Sequence, residues 1–76
     1  MNELFKIIAQ TFNLSSETIT LDLTPEDINS WDSLGQLLLI NNIEKFYNIS
    51  FEIEEIFRIM SIKDIYEILK DKGKLK

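Results

Sequence analysis

Not one cysteine or histidine occurs in this chain of 76 residues, so it can fold only by packing apolar side chains against one another. No disulfide can staple it, and neither thiolate nor imidazole is available to hold a structural zinc ion. Chains this short bury a limited core and are only modestly stable. The supply of core residues is nevertheless good: thirteen Ile and ten Leu, with five Phe, two Tyr and one Trp. Two Gly and one Pro favour short loops and long helical stretches. An apolar content of 45%, evenly spread, is too high for a disordered chain. Residues 1–76 are expected to form a single domain.

Hydrophobic periodicity predicts helices. Leu4, Ile7, Ile8, Thr11 and Phe12 recur at helical spacing, with Asn2 as a cap, Glu3 in the first turn and Asn13 as a stop. Residues 14–32 read as a long connection. Within it, Ile19, Leu21 and Leu23 alternate with polar residues, as a strand would. No partner strand is evident, so the segment reads as extended loop that plugs the bundle. Thr24-Pro25-Glu26-Asp27 looks like one helical turn capped by Thr24. A second helix is predicted over 33–47, a short third over 53–59 with Ile56 and Ile59 inward, and a fourth opening at Ser61 and ending at Gly73. The core stripe of the fourth is Ile62, Ile65, Ile68 and Leu69, and Tyr47 and Tyr66 are expected at the core rim. The fold class is therefore all-α, a small four-helix bundle of three principal helices and one short one, with a long loop between the first two.

The second helix has two apolar arcs. On a wheel at 100° steps, Leu39, Ile40, Ile43, Phe46 and Tyr47 share one arc of about 120° and should face the core. Leu34, Leu37 and Leu38 fall on the opposite side, among Asn41 and Lys45. One buried face cannot take both, so the second arc is either sandwiched or left exposed for docking.

Charge narrows the partners. Residues 1–69 hold twelve acids against four bases, whereas the tail from Lys70 holds four Lys against Asp71. An acidic body repels phosphate backbones, so nucleic acid is not expected as a partner. The Lys-rich tail is expected to be solvated. No apolar stretch approaches the ~20 residues of a membrane span. The opening Met-Asn-Glu-Leu-Phe-Lys lacks the pattern of a signal peptide, which makes the cytoplasm the expected compartment. Catalysis is not expected either: Glu26-Asp27 and Glu54-Glu55 are sequence neighbours that point apart, and no phosphate-cradling glycine loop or calcium loop fits.

Trp31-Asp32-Ser33-Leu34-Gly35 remains. Ser33-x-x-Gln36 fits a capping box, worth roughly 1 kcal/mol of helix stability. The alternative is that the Ser33 hydroxyl is an attachment point for a phosphate-linked arm. Gly35 in the first turn costs up to ~1 kcal/mol relative to Ala, and suits close backbone approach by another molecule. Asp32 adds a carboxylate that could hold a divalent cation during phosphoryl transfer. The helix N-terminus would stabilise a phosphodiester. No base adjoins Ser33 in sequence, so a partner enzyme would supply one. Trp31 is expected to wedge the loop onto the bundle.

Those residues resemble the Asp-Ser-Leu attachment site of acyl and peptidyl carrier proteins. The likeness extends over nearly the whole chain, through Leu23-Thr-Pro-Glu-Asp27, Phe51-x-Ile53-Glu54-Glu55-Ile56 and Ser61-Ile62-Lys63-Asp64-Ile65. It implies a 4′-phosphopantetheine arm on Ser33, installed from coenzyme A by a phosphopantetheinyl transferase with Mg²⁺, whose thiol carries an acyl or aminoacyl thioester. By resemblance, Asp32 assists the transfer, Leu34 is read by partners, and Gly35 completes the motif. The implied partners are the transferase and the loading and acyl-transfer enzymes, met by a monomer. The docking surface expected is Leu34, Leu37, Leu38, Asn41, Glu44 and Lys45, with Glu54 and Glu55. Fatty-acid carriers usually line the second helix with acids; here that arc is mostly apolar, which suggests a dedicated pathway and a more apolar partner contact. The alternative is an unmodified helical interaction module of the same fold.

Overall fold

The computed structural model describes residues 2–75 and the side chains of 3–75; the cap expected from Asn2 concerns a side chain outside that description. Four helices follow one another: α1 (Asn2–Phe12), α2 (Ser33–Tyr47), α3 (Ile53–Arg58) and α4 (Ile62–Asp71). A single 3₁₀ turn, Ser16–Thr18, interrupts the long α1–α2 connection. No strand occurs among the described residues. The all-α bundle with one short helix is therefore the fold read from the pattern.

The three principal helices end in the same way. Asn13, Asn48 and Gly73 take left-handed backbone conformations (φ 58°, 56° and 77°). Past each, the next amide reaches back to a carbonyl of the last turn: Leu14 to Ala9 at 2.8 Å, Ile49 to Glu44 at 3.2 Å, Lys74 to Leu69 at 3.0 Å. These bonds satisfy carbonyls that helix ends otherwise leave orphaned. Asn13 and Gly73 carry that signal in the sequence. Asn48 carries it too, and the periodicity alone did not single it out.

The helices close on one core of Leu4, Ile8, Leu39, Ile43, Ile62, Ile65, Ile68 and Leu69, each fully buried. Ile59 is buried just after α3, while Ile56, Tyr47 and Tyr66 are half-buried at the rim. Phe46 departs from the wheel reading. It sits at the edge of the core arc and is 57% exposed. Its ring lies edge-on to Tyr47, 4.9 Å away, and walls an open groove of about 370 Å³ with Ile7, Gln10, Asn42 and Lys45.

The alternating segment is extended and finds its partner in a helix. Ile19 is buried, and Leu21 and Leu23 pack against the core. The carbonyls of Leu23 and Leu21 accept from the first two amides of α4, Ile62 (3.0 Å) and Lys63 (2.8 Å). Ser61 caps the third, Asp64, at 3.4 Å. The loop thus serves as part of the α4 N-cap, which is why a lone strand-like stretch persists without a sheet. Residues 24–27 form a single turn, closed by Asp27 N–H donating to the Thr24 carbonyl at 2.9 Å and by Asp27 Oδ2 accepting from the Thr24 amide at 2.9 Å.

The tail departs from expectation. Lys72 is half-buried. Its ammonium pairs with Glu55 at 3.0 Å and lies 6.0 Å from the centroid of the Phe51 ring. Leu75 packs against the core. An apolar anchor and an ion pair therefore tie the tail down where a run of like charges predicted solvation.

Candidate functional site

The N-terminus of α2 is built by residues 31–36. Asp32 is the N-cap: its Oδ1 accepts from the Gly35 amide at 2.9 Å, and its carbonyl accepts from Gln36 N–H at 2.7 Å. For a cap at Ser33, the side chain would have accepted from one of these same two amides. The cap therefore sits one residue earlier than Ser-x-x-Gln suggests, and Ser33 becomes the first residue of the helix, with its side chain exposed. Gln36 does not close a box with Ser33; its Oε1 accepts from the Trp31 indole N–H at 2.6 Å.

Trp31 is the loop anchor that its size predicts. It is 3% exposed and packs at 5.8 Å and 31° against Phe12 of α1. Gly35 has a specific reason to be glycine. A Cβ there would overlap the Ser30 carbonyl oxygen and lie 3.1 Å from Phe12 Cε1. The close backbone approach inferred from Gly35 is thus made by the chain's own loop rather than by another molecule.

The expected docking residues divide. Leu34, Leu37 and Leu38 are 78%, 61% and 50% exposed, so the second apolar arc of α2 faces solvent. Asn41 and Lys45 are exposed as well, Lys45 on the α1–α2 groove. Glu44 is half-buried, and its Oε2 accepts from Phe51 N–H at 2.8 Å, tying the end of α2 to the start of α3. Glu55 is engaged twice, by the Glu52 amide at 2.8 Å and by Lys72. Those bonds hold its carboxyl below the ordinary glutamate value, the Glu52 amide most and Lys72 next. Glu54 remains exposed. At the far end of α2, burial and then the Glu3 charge push the Tyr47 hydroxyl up. The sequence reading passed over Ile53, Phe57 and Met60, which also face solvent; their i, i+4, i+7 spacing was the available signal.

Chemically, the site offers one solvent-facing alcohol at the positive end of a helix dipole, flanked by an apolar helix face. That suits an ester of phosphate, whose negative charge the helix end favours. No group of three or more carboxylates that could hold a metal ion occurs among the described residues, and none of the described helices is long and apolar enough to cross a membrane.

No protein-family model matches the chain. It is 39% identical over 66 residues to the acyl carrier protein of Buchnera aphidicola subsp. Baizongia pistaciae, a match spanning 86% of this chain and 83% of that one. A solved structure from Mycobacterium tuberculosis, described as a candidate acyl carrier protein, superposes with a TM-score of 0.81 over 92% of this chain and 93% of its own, at 20% identity. The second likeness establishes the fold, and the first the family: this chain belongs to the acyl carrier proteins, a family of carriers rather than enzymes.

Proposed function

We propose that Ser33 carries a 4′-phosphopantetheine arm and that residues 1–76 work as one monomeric carrier domain in the cytoplasm. A phosphopantetheinyl transferase, with Mg²⁺, joins the Ser33 oxygen to the phosphopantetheine of coenzyme A as a phosphodiester and releases the nucleotide half. The transferase supplies the base that takes the hydroxyl proton, since no base adjoins Ser33 in the sequence, while Asp32, whose Oδ1 caps the Gly35 amide, assists the transfer. The arm's terminal thiol then holds an acyl or aminoacyl group as a thioester. The observation that carries this reading is the displaced cap: Asp32 satisfies the helix end, which leaves the Ser33 hydroxyl exposed.

The partners are the transferase and the enzymes that load and unload the thiol. The exposed Leu34, Leu37 and Leu38, beside Ser33 on the same helix, support docking through apolar contact. The internal bonds of Glu44 and Glu55 leave fewer carboxylates for a basic partner patch, which favours a dedicated pathway over a general one.

Intact mass after incubation with a broad-specificity transferase, Mg²⁺ and coenzyme A tests the assignment. One added phosphopantetheinyl group is expected, absent in Ser33→Ala. No gain, or a gain that persists in Ser33→Ala, would leave the second reading, an unmodified interaction module using the same exposed leucines.

A further inference from the structure

We infer that Trp31 and Gln36 are positioning residues for Ser33: the indole N–H to amide oxygen bond braces the turn that presents the hydroxyl. The inference rests on Ser33 as the attachment site. At one end of the brace, the Trp31 ring is sunk against Phe12 of α1. From that buried ring, Nε1 donates to Gln36 Oε1 across 2.6 Å, so residue 36 on the first turn of α2 is tied to residue 31 in the loop. At a second point, the Ser30 carbonyl fills the space where a Gly35 side chain would stand. Residues 32–34 are strung between these two ties, with Asp32 Oδ1 on the Gly35 amide between them.

First turns of helices fray. A nucleophile offered to another protein's active site gains rate when it is held in one orientation, because less freedom is lost on reaching the reactive geometry. Filling the space beside Phe12 needs only an aromatic ring. The N–H donor is an addition, and a donor this deep must be matched by an acceptor. Gln36 supplies one, giving up the role that a serine capping box would have given it.

Kinetics of modification test the brace. The full-length wild type, Trp31→Phe, Gln36→Leu, their double variant and Gln36→Glu are each incubated with the transferase, Mg²⁺ and coenzyme A. The values of kcat and KM are read by intact mass, and backbone ¹⁵N relaxation is recorded on the same samples. Trp31→Phe keeps a ring against Phe12 and loses the donor; Gln36→Leu loses the acceptor. Each should lower kcat about fivefold with KM for coenzyme A unchanged. The double variant should be no worse than either single one. Gln36→Glu, which keeps an acceptor, should restore kcat. The amides of 32–34 should become more mobile in the two slow variants. Folded variants that retain wild-type kcat, or single losses that simply add, overturn the inference. If Trp31→Phe fails to fold, Gln36→Leu carries the test alone, since that side chain is only half-buried. A wild type that gains no mass sinks the Ser33 assignment and this inference with it, and that control arm tells the two failures apart.

Discussion

Of the two roles the sequence offers Ser33, Asp32 takes the cap and leaves the side chain of Ser33, the first helical residue, in solvent. Their alanine variants should therefore differ in stability. Asp32→Ala should cost about 1 kcal/mol of stability in urea unfolding, the usual value of an N-cap. Ser33→Ala should stay within about 0.5 kcal/mol of wild type, as exposed substitutions do. Equal losses would return the cap to Ser33. Gly35 gives a sharper test, because two effects of opposite sign compete. Gly→Ala in a helix gains up to ~1 kcal/mol from propensity. Overpacking costs typically about 1–3 kcal/mol, and the atom in the way here is backbone, which cannot rotate aside. Gly35→Ala should therefore be destabilising, measured by the shift of the urea midpoint. What was legible at this scale was residue type: an alcohol, a carboxylate and a glycine at a helix start. Which of them capped was not, because Asp and Ser are nearly equal as caps and only the path of the loop selects between them.

Among the elements, α3 is the one held least by packing. None of its own residues is buried, and Ile53 and Phe57 face solvent. Its anchors are its own half-buried Ile56, Phe51 and Ile59 just outside it, and the bonds of Glu44 and Glu55 to the chain around them. Glu55 has a carboxyl value lowered in the fold, so it favours the folded state fully above the ordinary value of 4.5, and that contribution disappears as pH falls through the lower folded-state value. The urea midpoint of wild type should exceed that of Glu55→Gln near neutral pH, and the gap should close in acid. A gap that persists unchanged at pH well below 4.5 would show that the charge plays no part. On α2 the exposed arc makes a separate claim. Leu38 is half exposed, so Leu38→Glu should fold normally and still accept the arm, while loading by the partner enzyme slows. Unchanged loading would remove Leu38 from the partner surface. The extent of α2 was readable from spacing and Ser33, but the fate of its second arc was not. A wheel shows two apolar faces and says nothing about which one the other helices cover.

For the whole molecule, stability of about 0.05–0.15 kcal/mol per residue implies a total of roughly 4–11 kcal/mol. Truncating one fully buried aliphatic costs about 2–5 kcal/mol. Ile43→Ala, at a site with no exposed surface, should thus remove a large share of the total and lower the thermal midpoint strongly in circular dichroism. A small shift would mean that the core relaxes around the hole. With no disulfide available, nothing covalent would offset such a loss. The helices, their order and most of the core follow from local rules: apolar residues recurring at 3.6-residue spacing, Asn and Gly where the backbone must turn left-handed, and a short chain with nothing else to fold around. Long-range packing decided the remainder. The bundle set Trp31 against Phe12, brought the Ser30 carbonyl onto Gly35, placed Lys72 beside Glu55, and gave the Leu21 and Leu23 carbonyls to α4. Apart from the local Ser30–Gly35 contact, which the path of the loop into the helix sets, each joins residues whose meeting depends on how whole elements lie together, and spacing along the chain does not encode that. The exposure of Ser33 is of the same kind, since it follows from where the loop enters the helix.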